Sequence, residues 1–233
     1  MDWTTITLQT VDSTMAEAAR RAPELMGPTW ILAREQTASR GRRGRVWKQG
    51  VGNFAATLVM KAGTPDRAAL RSFVAALALA DTFEALGVRG IGLKWPNDVL
   101  VHGAKVAGIL LESLPSERLA IGIGINLRHA PGTDEVEQEA VAPATLGVDA
   151  EPEEVLDLLA PAFAGWERQF QALGFAPIRT AWLARAARLG AVIRARTAQA
   201  EYDGTFETID NSGQLVLSTA KGRLSIPAAD VYF

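Results

Sequence analysis

The sequence predicts an α+β fold, an antiparallel or mixed sheet with packed helices, followed by a small all-β module. Residues 92–127 read as short strands joined by links of a few residues, which permit antiparallel neighbours and leave no room for crossover helices. Long helical patterns lie outside that run instead of alternating with its strands. After Gly190 only short alternating runs remain. In order, Thr5–Val11 reads as a strand and Ser13–Arg21 as a short helix, with Thr14 and Glu17 placed as a capping box. Trp30–Arg34 and Phe54–Met60 are strands. Arg67–Leu86 is a helix apolar on most faces and closed by Gly87, so it should pack against a sheet. The strands Leu93–Trp95, Val99–Val101, Val106–Glu112 and Leu119–Leu127 follow, and then a polar, acidic loop over Arg128–Pro143. Pro152–Leu173 is helical with an expected break at Pro161, and Pro177–Ala187 is a shorter helix. Val192–Arg196, Glu201–Ile209, Leu215–Ser218, Leu224–Ile226 and Val231–Phe233 then alternate, with a hairpin turn at Asp210–Gly213. The expected division is a main domain over 1–187 and a small SH3-like β-barrel over 188–233.

Composition removes several classes of function. The 233 residues contain no cysteine, which excludes disulfides, thiolate nucleophiles and Cys-ligated zinc. The two histidines, His102 and His129, have no metal-ligand spacing, so no protein-held metal is expected. A formal net charge of −2 argues against a general nucleic-acid or anionic-membrane binder. Met1-Asp2-Trp3 runs into threonines and not into a basic and then apolar leader, and the apolar stretch Phe73–Leu86 is interrupted by Asp81 and Glu84. No membrane association is expected, and the location expected is the cytoplasm.

One segment stands apart. No acidic residue lies between Glu35 and Asp66, and within that island Arg40, Arg42, Arg43, Arg45 and Lys48 are punctuated by Gly41, Gly44 and Gly50. A charge run is ordinarily a solvated face. Glycines within it let the backbone approach a ligand, and the flanking strands can hold it over a pocket. A cation about 4 Å from an anion contributes roughly 4 kcal/mol at an effective dielectric near 20, so phosphates suit the segment. The P-loop spacing is absent, and aromatics do not interleave the basic run as a single-strand binder would need.

Gln36-Thr37-Ala38-Ser39-Arg40-Gly41-Arg42-Arg43-Gly44-Arg45-Val46-Trp47 resembles the glycine-arginine signature of biotin–protein ligases. Lys94-Trp95-Pro96-Asn97-Asp98, Lys105 to Glu112 and Gly122-Ile123-Gly124-Ile125-Asn126 follow in family order, and Asp12-Ser13-Thr14 stands upstream. The resemblance covers essentially the whole chain and implies a class II aminoacyl-tRNA synthetase/biotin ligase-like fold. Met15 stands where the family usually has Asn, and Ser39 where Gly is common. Only twelve residues precede Ser13, so the helix-turn-helix carried by some members is not expected, nor is repressor function.

The resemblance implies a two-step reaction. ATP activates biotin to biotinyl-5′-AMP, and the biotinyl group then passes to a lysine of the biotin carboxyl carrier protein of acetyl-CoA carboxylase. Magnesium is expected to arrive with ATP. A homodimer is expected by family analogy only. Ser13, Thr14 and Gln36 would hold the ureido ring, with Arg40 and Gly41 closing over biotin and Trp47, Gly108, Gly122 and Gly124 in the pocket region. Lys105 would lie between the biotin carboxylate and the α-phosphate, assisted by Arg42. Arg43, Arg45, Lys94, Asn97 and Asn126 would contact the nucleotide side. Asp98 reads either as a turn residue or as a base for the incoming lysine, whose deprotonation at pH 7 costs about 4.6 kcal/mol. A lipoate–protein ligase, a nucleic-acid-binding module and a degenerate, non-catalytic biotin binder are the rival readings, and Lys105 and Arg42 speak against the last.

Overall fold

A computed structural model describes residues 2–47, 50–132 and 139–233. Lys48 of the basic segment and the middle of the expected acidic loop therefore lie outside the described residues. Strand β1 (Thr4–Val11) leads through helix α1 (Thr14–Arg21) to β2 (Thr29–Gln36), which runs parallel to it. β3 (Phe54–Lys61) is antiparallel to β2 and is followed by α2 (Pro65–Ala85). The expected meander is present as β4 (Ile91–Lys94), β5 (Asp98–Val101), β6 (Ala104–Leu114) and β7 (Arg118–Ile125). β7 returns to pair along the length of β3, giving a mixed seven-stranded sheet in the order β1-β2-β3-β7-β6-β5-β4.

Both faces of this sheet are covered. The larger core lies against α2, α3 (Pro152–Leu173) and α4 (Phe175–Ala184), and takes Trp30, Leu32, Leu58, Ile121 and Ile123 from the sheet. The alternate positions Ile31, Val59 and Ala120 face the other way, against Met15 and Ala18 of α1. α2 is buried through most of its length, as its composition predicts. Among the described residues no helix is long and apolar enough to cross a membrane.

Three local expectations are corrected. Ser13, not Thr14, caps α1: its side chain accepts from the Met15 amide at 3.2 Å. Thr14 is drawn away because its hydroxyl donates to Gln36 Oε1 at 3.1 Å and accepts from Thr57 at 2.8 Å, while Glu17 pairs with Arg20 and Arg21. α3 also runs through Pro161 without a break. Pro161 and Asp157, whose carbonyl loses its i+4 donor, are both exposed, so water can satisfy that carbonyl. The last helix, α4, starts two residues earlier than expected, at Phe175, and ends three earlier, at Ala184.

Beyond α4 come β8 (Val192–Arg196), β9 (Glu201–Ile209), β10 (Leu215–Thr219), β11 (Gly222–Ile226) and β12 (Asp230–Tyr232). They form a five-stranded antiparallel sheet in the order β11-β10-β9-β8-β12. The hairpin turn is where the sequence places it: Asp210 Oδ1 accepts from the Ser212 and Gln214 amides at 2.8 and 2.9 Å. Gly213 at its tip has φ 80°, and a Cβ there would lie 2.9 Å from Leu70 and 3.0 Å from Phe73 of α2. The tip carbonyl accepts from Trp95 Nε1 at 3.0 Å. Ile193, Phe206 and Leu217 join the larger core, so one hydrophobic interior serves both sheets.

Candidate active site

On the α1 side of the large sheet lies a cavity of about 560 Å³. Its floor is made by β6 and β7, where Gly108 is paired with Gly124 and Leu110 with Gly122. The absence of side chains at these glycines makes room for others. A Cβ on Gly124 would fall 2.7 Å from Trp47 Cε2, one on Gly108 3.1 Å from Trp47 Cζ3, and one on Gly122 2.7 Å from Met15 Sδ. The indole therefore lies over the glycine pair, and the Met15 thioether fills the next position. Trp47 Nε1 is buried and has no hydrogen-bond partner among the described residues.

Lys105 reaches the same face through an irregularity. The β5–β6 pairing shifts register between Val99 and Leu100, so that Ala107 faces Val99 while Lys105 faces Leu100. Without that shift, residues 105 and 108 would project to opposite faces. With it, Lys105 lines the cavity, and a Cβ on Gly108 would lie 3.4 Å from its Cε.

At one end of the cavity the groups are neutral. Gln36 Oε1 accepts from the Thr14 amide at 2.7 Å and from the Thr14 hydroxyl, which fixes the amide orientation beside the N-terminus of α1. At the other end they are charged. Lys105 Nζ lies 2.6 Å from Asp98 Oδ1 and 5.5 Å from the Trp47 ring centre. Lys94 is 8% exposed, with its ammonium 4.9 Å from the Phe233 ring centre. Burial pushes the Lys94 ammonium below the ordinary lysine range, and the negative charge of Asp98 works against that fall. Arg42 is pushed down in the same way by burial, opposed by Asp230 and then Asp98. Arg42 Nη1 donates to Asn97 Oδ1 at 3.1 Å, and Asn97 Nδ2 donates to the Ile109 carbonyl at 2.7 Å, tying the loop to β6. Asn126 Nδ2 donates to the Lys105 carbonyl at 3.3 Å.

The basic segment is a short tongue. Arg40 bridges Val46, Gly41 donates to the Arg45 carbonyl at 2.7 Å, and a 3₁₀ turn over Arg42–Gly44 makes the tip. Ser39, at the position where glycine is common, donates to the Trp47 carbonyl at 2.5 Å and closes the root. Arg40 pairs with Glu112 of β6 at 2.9 Å.

Every residue that the sequence singles out for the site lines this cavity except Arg43, whose guanidinium turns to Asp230 at 2.7 Å. Sequence reasoning missed Asp230 and Tyr232, which line the cavity from β12 of the small sheet. Ala-Ala-Asp-Val-Tyr-Phe reads as an ordinary short strand, and no motif marks it.

The chain is similar to known proteins over almost all of its length. Residues 6–127 match the biotin/lipoate A/B protein ligase family, and residues 189–233 match the biotin protein ligase C-terminal domain. A biotin–[acetyl-CoA-carboxylase] ligase of Paracoccus denitrificans is 54% identical over 240 residues, covering 97% of this chain and 99% of that one. The bifunctional ligase/repressor of Bacillus subtilis is 32% identical over 92% of this chain and 68% of its own. Among solved structures, a biotin protein ligase from Aquifex aeolicus in complex with biotin and ATP superposes with a TM-score of 0.86. It is 24% identical, and the match covers 98% of this chain and 97% of that one.

Proposed function

The chain belongs to the biotin/lipoate A/B protein ligase family, and from that premise we propose how its cavity carries out the reaction of a biotin–[acetyl-CoA-carboxylase] ligase. A carboxylate oxygen of biotin attacks the α-phosphorus of ATP, the bond to pyrophosphate breaks, and biotinyl-5′-AMP forms. The ε-amine of a carrier-protein lysine then attacks the acyl carbon. AMP leaves with the electrons of the C–O bond, and the amine gives up a proton.

One observation carries this reading: a single cavity has a neutral hydrogen-bonding end, an apolar floor under Trp47, and a cationic end. The glycine floor and the indole suit a flat apolar ring system with a few fixed polar partners. Ser13, Thr14 and Gln36 supply donors and acceptors for the ureido group, with Arg40 and Gly41 of the tongue closing over it. Lys105 and Arg42 stand where two anions must be brought together. Neutralising and positioning them is the main catalytic contribution, and no covalent enzyme intermediate is required. Lys94, Asn97, Asn126 and Arg45 form the nucleotide side, whereas Arg43 stands outside the cavity and is turned to Asp230.

Asp98 orients Lys105 through their 2.6 Å contact. When Lys105 turns to the substrate anions, Asp98 is left to hold the incoming ammonium and take its proton. Magnesium enters with the triphosphate. Among the described residues no group of three or more carboxylate or imidazole side chains is placed to hold a metal, and both cavity carboxylates, Asp98 and Asp230, are paired with cations. The acceptor is a carrier protein of acetyl-CoA carboxylase, which places the enzyme in the cytoplasm. Pairing of two copies along the edge strand β1 is the expected route to a homodimer, and sedimentation measures it.

Pyrophosphate exchange into ATP tests the reading. Exchange should depend on biotin and not on lipoate, and Lys105→Ala should abolish it while leaving the melting temperature within a few degrees. Lipoate-dependent exchange, or full exchange in Lys105→Ala, would overturn it.

A further inference from the structure

The tip of the tongue is held by the small sheet. Asp230 of β12 accepts from Arg43 Nη1 at 2.7 Å and from Arg45 Nη2 at 2.6 Å, and Arg42 Nη1 lies 4.0 Å away. Exposed ion pairs usually contribute little, because water and salt screen them. This one differs in its carboxylate, whose side chain is only 14% exposed and meets three guanidinium groups from one turn. Burial alone would push the Asp230 carboxyl up. The hydrogen bond from Arg45 and the charges of Arg45, Arg43 and Arg42 bring it below the ordinary range.

The turn itself needs an outside hold. Arg43 has φ 56°, a left-handed conformation that costs a non-glycine residue about 1 kcal/mol or more. Within the tongue, the single bridge and its few backbone bonds are a short ladder with little to offset that cost. The carboxylate is placed to offset it, and it lies on a different sheet from the tongue's own roots.

We propose that Asp230 is a positioning residue: it anchors the arginine tongue to the small C-terminal sheet through Arg43 and Arg45, and so keeps Arg42 and Arg45, which line the cavity, on the nucleotide side. The small sheet thereby forms part of the nucleotide side, though its own strands carry none of the sequence motifs. The inference rests on the reading of that side given above. It also has a consequence that needs no nucleotide, since an unanchored tongue exposes its arginyl peptide bonds.

The test compares Asp230→Asn with Asp230→Glu in the full chain by two readouts. Brief trypsin digestion without ligands, with fragments assigned by mass, should cut after Arg42, Arg43 and Arg45 about tenfold faster in Asp230→Asn, equivalent to about 1.4 kcal/mol of anchoring. In biotin-dependent pyrophosphate exchange the same variant should raise KM for ATP by a similar factor and KM for biotin by less. Asp230→Glu should restore both values most of the way. The double variant Asp230→Asn/Arg45→Ala should be no worse than the stronger single change, because the two residues act through one contact.

Unchanged cleavage in Asp230→Asn overturns the anchor, including when its melting temperature falls. Faster cleavage with an unchanged KM for ATP overturns the link to the nucleotide. A lower KM would mean that the carboxylate competes with phosphate, and that too overturns the proposal. If the unaltered chain shows no biotin-dependent exchange, the site reading fails on its own, and the cleavage arm still decides the anchor.

Discussion

At Gly124 a single methyl group decides how Trp47 lies. A Cβ there meets the fused edge of a rigid indole at 2.7–2.9 Å, whereas a Cβ on Gly122 meets the flexible end of Met15. Gly124→Ala should therefore lift the ring from the floor and raise KM for biotin about tenfold, equivalent to about 1.4 kcal/mol. Gly122→Ala should change it much less, because the thioether can turn aside. Exchange kinetics on the pair check this, and equal effects would count against the indole's role. Legibility at this scale was high. Lys105, Arg42, Asn97, Asp98 and the three floor glycines sit in short motifs, and all of them line the cavity. Arg43 and Asp230 were not legible as a pair, because the link runs between sheets across most of the chain. Local spacing carries no trace of such a contact. The Ser13 cap was misread for the same reason: Thr14 is engaged by Gln36 and by Thr57, whose strands were legible but whose closeness to Thr14 was not.

Element boundaries followed from periodicity and punctuation, but two irregularities did not. The register shift beside Val106 is invisible in Lys-Val-Ala-Gly-Ile-Leu-Leu-Glu, which reads as a regular half-buried strand. Regular alternation would turn Lys105 and Gly108 to opposite faces, so the cavity depends on a feature that only the paired strands display. Pro161 misled in the opposite direction. Its local rule predicts a break, and the packing of Leu156, Leu159, Ala160, Phe163 and Ala164 into the core holds the helix straight through it. The missing hydrogen bond still costs something. Pro161→Ala should regain it at the cost of a looser unfolded chain, for a net gain of about 1–2 kcal/mol. Urea denaturation reads the change, and a loss of stability would show that the ring's own packing outweighs the bond.

Across the whole molecule, one buried ion pair joins the two largest helices. Arg71 of α2 and Glu167 of α3 are 3% and 1% exposed in their side chains and meet at 2.9 Å, and Arg71 also donates to the Ala62 carbonyl at 2.5 Å. Glu167→Gln keeps the shape but leaves a guanidinium buried without its counter-charge, so it should cost about 3–5 kcal/mol in urea titrations while leaving exchange kinetics at low denaturant unchanged. The pair was not legible in sequence, where Arg71 and Glu167 look like ordinary exposed helix residues. The strand order has a further consequence, and it concerns time. β3 ends at Lys61, yet its second neighbour, β7, begins at Arg118, after a helix and three more strands have been made. A chain emerging from the ribosome therefore holds an apolar strand with one flank open until that later stretch appears. Pairings so distant in sequence are slow to form and leave strand edges exposed meanwhile. The glycine floor, laid by the last two strands of the sheet, is put in place at the same moment that the flank is closed. Protection of the nascent chain and the laying of the cavity floor are thus one event.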